Sequence, residues 1–116
     1  MLGTTTSGSF VEKFTLTDNK AEYAGAIDGF YKVTAYISCS SGNNNVVRAR
    51  IAKNGTDTAS SESKSTTSAG GKSENVVCAD IVQLATTDYI EIFMANGTGT
   101  SDILVTELNV IIERLN

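Results

Sequence analysis

An all-β fold, a sandwich or a barrel, is predicted for this chain on three observations. Apolar and polar residues alternate with a period of two along several segments. Turn residues separate those segments at intervals of about 8–12 residues, the spacing of sandwich and barrel strands. No stretch holds a convincing helical period. The clearest segment runs from Phe30 to Cys39. Its odd positions Tyr31, Val33, Ala35, Ile37 and Cys39 are apolar or aromatic, and its even positions include Lys32, Thr34 and Ser38. Successive strand side chains point to opposite faces, so such a segment packs a core on one side only.

The elements follow in order. Residues 1–9 are rich in Thr, Ser and Gly and read as a flexible arm, and residues 10–116 read as one domain. Ser9 to Leu16 reads as the first strand, with Phe10, Phe14 and Leu16 on one face. Thr17-Asp18-Asn19-Lys20 is a turn. Tyr23 to Ile27 reads as a short strand or an extended loop, closed by the turn dipeptide Asp28-Gly29. After the Phe30–Cys39 strand, Ser40 to Asn45 is a loop and Val46 to Lys53 a strand with Val47, Ala49 and Ile51 on its apolar face. Asn54-Gly55 marks a hairpin, because a type I′ turn needs positive φ at both central residues.

Thr56 to Ser73 is poor in apolar residues. Its first half reads as a polar edge strand of Thr58, Ser60 and Glu62, and its second half as a loop. Asn75 to Leu84 has apolar residues at both parities, as a strand buried on both sides does. Tyr89 to Ala95 follows the turn Thr86-Thr87-Asp88, with Ile90, Ile92 and Met94 on one face and Tyr89, Glu91 and Phe93 on the other. Asn96 to Thr100 is the next turn, Ile103 to Val105 reads as a short strand, and Leu108 to Leu115 is the last strand. That makes about eight antiparallel strands. The mixture of short and long connections favours a jelly roll over a meander.

Composition excludes several function classes. The 116 residues carry a net charge of −4 with scattered Lys and Arg, which argues against a phosphate-tracking nucleic-acid surface. No apolar run approaches a transmembrane length, and the first residues have neither a basic n-region nor an apolar h-region, so no signal peptide is expected and folding in a cytoplasm is. With no His in the chain, Ser-His-Asp and Cys-His catalysis are excluded. Cys39 and Cys78 cannot complete a zinc site alone and read as a pair of buried thiols, with an inter-strand disulfide as the alternative. No P-loop, dinucleotide fingerprint or calcium-loop spacing occurs, so no cofactor and no metal are expected. The carboxylates Asp80 and Glu91 are the one pair considered for glycoside hydrolysis, and no second feature supports it. The chain is not expected to be an enzyme.

Three segments resemble a known family. Gly29-Phe30-Tyr31-Lys32-Val33-Thr34-Ala35 is similar to the G-x-Y-x-V-x-A strand of C1q/TNF-like jelly rolls. Arg48 to Gly55 resembles that family's R-x-x-I-x-K-N-G hairpin, and Val82-Gln83-Leu84 followed by Asp88 to Ile92 resembles its V-x-L-x-x-G-D-x-V-x-V run, with Thr87 standing where the family usually has Gly. Leu108 to Ile111 matches the closing strand. Lacking a collagen-like stem, and rich in Ser, Thr, Asn and Gly, the chain looks most like bacteriophage structural proteins of that fold. The resemblance implies a homotrimer.

Two roles are expected from it. The first is a capsid decoration (cement) protein in the virion, bound to the major capsid protein on the outer capsid surface, with the arm residues Leu2, Thr4, Thr5 and Thr6 together with Phe10 at that contact. The alternative is a receptor-binding knob of a tail fibre or tail needle, whose loops at 40–45, 63–73 and 96–101 would meet a host-surface glycan or receptor. Because Asn75–Leu84 and Tyr89–Ala95 carry apolar residues on both faces, the subunit interface is expected at Tyr36, Val77, Ile81, Tyr89 and Phe93.

Overall fold

The computed structural model describes residues 14–17, 20–68 and 72–115. Among the described residues nine strands form two antiparallel sheets. They are β1 (Phe14–Thr17), β2 (Lys20–Tyr23), β3 (Gly29–Ser40), β4 (Val46–Lys53), β5 (Thr56–Asp57), β6 (Ser63–Thr66), β7 (Glu74–Leu84), β8 (Tyr89–Asn96) and β9 (Leu104–Arg114). The six-stranded sheet has the order β1-β2-β8-β4-β5, with β6 also paired to β4, and the three-stranded sheet has the order β7-β3-β9. The result is the β-sandwich the periodicity predicts.

The core lies between the sheets and uses the expected alternation. Tyr31, Val33, Ala35, Ile37 and Cys39 of β3 meet Val47, Ala49 and Ile51 of β4, with Ile90 and Ile92 of β8 and Val76, Cys78, Val82 and Leu84 of β7. At one end Phe14, Tyr23 and Tyr31 pack as a ring cluster, with centroids 5.3 to 5.6 Å apart. Arg114 donates from Nη1 to the Tyr31 hydroxyl at 3.0 Å, which ties the end of β9 to that cluster.

The hairpin between β4 and β5 is the one its dipeptide predicts: Asn54 has φ 54° and Gly55 φ 84°. The Asn54 side chain holds the neighbouring turn, accepting from Tyr89 N–H at 3.0 Å and donating to Asp88 at 2.9 Å. In that turn Thr87 has φ 76°. A β-branched residue there is strained, because its Cβ crowds the backbone. Thr87→Gly is therefore expected to raise stability by roughly 0.5–1 kcal/mol, the relief exceeding the added chain entropy. A urea midpoint that stays put or falls would show that the threonine carries no strain.

Several elements depart from their predicted form. The strand expected at 9–16 is seen as Phe14–Thr17, its earlier part lying outside the described residues, and Lys20 belongs to β2 instead of the preceding turn. The segment after Tyr23, by contrast, takes the loop form that was one of its two expected alternatives. The polar edge strand of Thr58, Ser60 and Glu62 is broken by a 3-10 turn at Ala59–Ser61. The buried Ser61 hydroxyl explains the break: it accepts the Ile51 N–H at 2.9 Å and donates to Thr58 O at 2.6 Å, replacing a ladder bond. The strand then resumes as β6 inside what reads as a loop.

The two segments predicted near the C-terminus are one strand, β9, with a bulge. Its register against β3 shifts between Ser38, opposite Glu107, and Cys39, opposite Val105. The bulge reverses the alternation, so Val105 and Leu108, of opposite parity, both pack against the core.

Candidate interaction surfaces

The two outer faces of the sandwich are unlike. Along β7, Val76, Cys78, Val82 and Leu84 are buried, whereas Val77 and Ile81 point outward and are 44% and 60% exposed. The double-sided burial expected of this strand is not present within the chain. Register places Ile81 beside Lys32, Ala79 beside Thr34, and Val77 beside Tyr36. On the other side of β3, Thr34 faces Ile111, Tyr36 faces Asn109 and Lys32 faces Glu113. Among the described residues, eight large hydrophobics are exposed, and all but Ile27 lie on the three-stranded sheet or at its end. Tyr36, Val77, Ile81 and Ile111 form the middle of that surface.

The outer face of the six-stranded sheet carries charge. Arg50 binds two carboxylates, Asp57 at 2.7 Å and Glu62 at 2.8 Å. Glu62 also meets Lys64 at 3.7 Å and Arg48 at 3.9 Å. Hydrogen bonding to Arg50 holds both carboxyls below their usual range. Tyr89 lies on this face with Lys20 Nζ 4.4 Å from its ring centre, and Phe93 stands in register with Arg50.

The five residues predicted for one subunit interface therefore fall into two groups. Tyr36, Val77 and Ile81 share the apolar face, and Tyr89 and Phe93 lie on the charged face opposite. The cause is topological. β7 and β8 are consecutive in sequence but belong to different sheets, so their outward residues face away from each other. Leu2, Thr4, Thr5, Thr6 and Phe10, expected at a capsid contact, lie outside the described residues.

The loops considered for recognition are bound to one another at one end of the sandwich. Asn96 donates from Nδ2 to Asn45 Oδ1 at 2.6 Å and to Ser101 O at 3.0 Å, and its Oδ1 accepts from Thr98 and Gly99 N–H, both at 3.0 Å. Ser41 donates to Asp102 O at 2.9 Å. The fully buried Thr67 hydroxyl accepts Asn45 N–H at 3.0 Å and donates to Gly42 O. Much of the polar inventory of loops 40–45 and 96–101 is thus committed to joining them.

The candidate catalytic pair is not assembled. Asp80 is on β7, on the side that carries Cys78 and Val82, and its Oδ1 accepts the N–H of Ile81 at 2.9 Å. Glu91 is on β8 of the other sheet and alternates with the buried Ile90 and Ile92, so it faces outward. Cys39 and Cys78 are free and buried. Burial pushes the Cys78 thiol up to about 11, so it is no nucleophile near neutral pH. Among the described residues no three His, Cys, Asp or Glu side chains converge to hold a metal, and no helix is long and apolar enough to cross a membrane. Compared with known proteins, the sequence matches no family model and no curated protein.

Proposed function

We propose that this chain is a non-enzymatic structural protein that assembles into a homotrimer through the outer face of β7-β3-β9. In that reading the trimer is a decoration (cement) protein on the outer surface of a bacteriophage capsid. The observation that carries the assembly is the asymmetry of the outer faces: exposed large hydrophobics gather on one sheet, while the other presents ion pairs. An extended apolar face on a sandwich is the mark of a contact.

The capsid role rests on the C1q/TNF-like segments at residues 29–35, 48–55 and 82–92. The positive φ of Thr87 adds support, because it is the conformation for which that family's glycine is suited. Work done by such a protein is mass action. A trimer that binds only the assembled lattice stabilises it by its binding free energy, and three linked attachments raise avidity. The knob reading draws less support, since the loops it would use spend their amides and hydroxyls on each other.

Two measurements test the proposal. Light scattering of the purified chain is expected to give three times its 12.2 kDa mass; a monomer at micromolar concentration would refute the assembly. Quantitative mass spectrometry of virions is expected to find the chain at a copy number comparable to the major coat protein. A handful of copies would mean a fibre or needle tip, and absence from virions would end the capsid reading.

A further inference from the structure

The charged outer face holds a shallow depression of about 440 Å³, lined in part by Arg48, Arg50, Asp57, Glu62, Phe93 and Ala95. We propose that this depression is a binding site for a carboxylate-bearing sugar ring. The inference rests on the proposed assembly through the apolar face, which leaves this opposite face open.

Three features carry it. The first is an excess of positive charge. The ion-pair cluster joins three cations, Arg48, Arg50 and Lys64, to two anions, Asp57 and Glu62, within a chain whose net charge is −4. Glu91 lies outward on the same face two residues from Phe93, so the surplus is confined to the side of the cluster where Arg48 and Lys64 stand in register.

The second is an uncommitted guanidinium. Arg50 takes both carboxylates at hydrogen-bond distance. Among the described residues Arg48 has only the 3.9 Å approach to Glu62, and its Nε is buried without a hydrogen-bond partner. Its side chain is 40% exposed. The Arg48 side chain is packed against the following turn: a Cβ at Gly97 would lie 2.5 Å from its Nε. With Nε covered by that turn, the terminal Nη1 and Nη2 donors of this partly exposed guanidinium are the ones that meet a carboxylate, end-on through two N–H bonds.

The third is an apolar wall of the right size. Phe93 is half-buried, in register with Arg50, and the next outward residue of β8 is only Ala95, in register with Arg48. A small side chain at Ala95 leaves room beside the aromatic ring for the C–H face of a pyranose. Asp57 and Glu62 keep lone pairs beyond those used by Arg50, and these accept from sugar hydroxyls.

The test is an amide NMR titration of the full chain at constant ionic strength with three probes: glucuronate, acetate and glucose. Glucuronate carries both the charge and the ring, and each of the others carries one. The expected result is saturable shifts from glucuronate at 48, 50, 62 and 93–95 with affinity on the order of millimolar. Acetate and glucose are expected to bind at least about tenfold more weakly, and so is glucuronate to Arg48→Gln or Phe93→Ala, with the rest of the spectrum unchanged. Acetate binding as well as glucuronate would overturn the ring recognition. No saturable shift, or shifts indifferent to Arg48→Gln, would overturn the site.

Discussion

A Val77→Asp variant is expected to stay folded and to lose self-association. Val77 lies outward on β7 and is 44% exposed, so within one subunit the change removes no core contact. Its cost to the isolated chain is the difference in strand preference, about 1 kcal/mol or less. Within an assembly that covers the face, an unpaired carboxylate is buried, at a cost of about 3–5 kcal/mol. That converts to a rise of roughly two to four orders of magnitude in the dissociation constant. Val77 is a sharper probe than Ile81, because Ile81 stands in register with Lys32, which would partly neutralise a new charge. Beside Val77 the same row holds Tyr36 and Asn109 and no cation. Phe93→Asp, on the opposite face, is expected to leave the oligomer intact. Light scattering and urea denaturation of the two variants check both halves. A Val77→Asp protein that keeps the parent mass would show that this face is not the contact.

Tyr23→Ala is expected to remove about 3–5 kcal/mol of stability, the range for deleting a buried aromatic ring. The ring is 1% exposed and packs against Phe14 at 5.5 Å and Tyr31 at 5.3 Å. Its hydroxyl donates to Ile27 O at 2.6 Å and receives Arg114 at 3.5 Å, so one side chain joins β2, the following loop and the end of β9. A small domain holds only about 5–15 kcal/mol in total, so the loss takes a large fraction of it. Tyr23→Phe separates the hydroxyl from the ring and is expected to cost about 1 kcal/mol. Urea unfolding of the pair decides the matter. A loss below about 1 kcal/mol for Tyr23→Ala would mean the cluster contributes little beyond local packing.

Strands whose alternation is uninterrupted were legible. In β3, β4 and β8 one parity is apolar up to the terminal Lys53 of β4 and Asn96 of β8, and that parity is the buried one. The hairpin at Asn54-Gly55 was legible as well, because its conformation is a property of those two residues. Elements that depend on a distant partner were not. Ser61 breaks an edge strand by bonding Ile51, which lies 10 residues earlier. The bulge in β9 reverses parity to keep pairing with β3, and a reversal in sequence looks like a gap between two strands.

The interaction surfaces divide in the same way. Outward apolar residues on β7 were visible in sequence, and three of the five predicted contact residues, Tyr36, Val77 and Ile81, do share a face. Separating Tyr89 and Phe93 from them needed the sheet assignment. The connections from β2 to β3, β3 to β4, β6 to β7, β7 to β8 and β8 to β9 all pass between sheets. Alternation tells which side of a strand is apolar but carries no information on which sheet the strand joins. The depression beside Arg48 was hidden for the same reason. It needs β4, β8 and the residues around the 3-10 turn side by side, although β8 lies tens of residues from the other two in sequence.

Local chain chemistry alone determined the all-β class, most strand positions, the inward faces of β3, β4 and β8 and the hairpin turn. Those follow from backbone geometry and a side-chain period of two, which act over a few residues. Tertiary structure alone decided the sheet partners, the bulge, the broken edge strand and the contrast between an apolar and a charged outer face. Those depend on long-range pairing, where burying the common core selects which strands lie side by side.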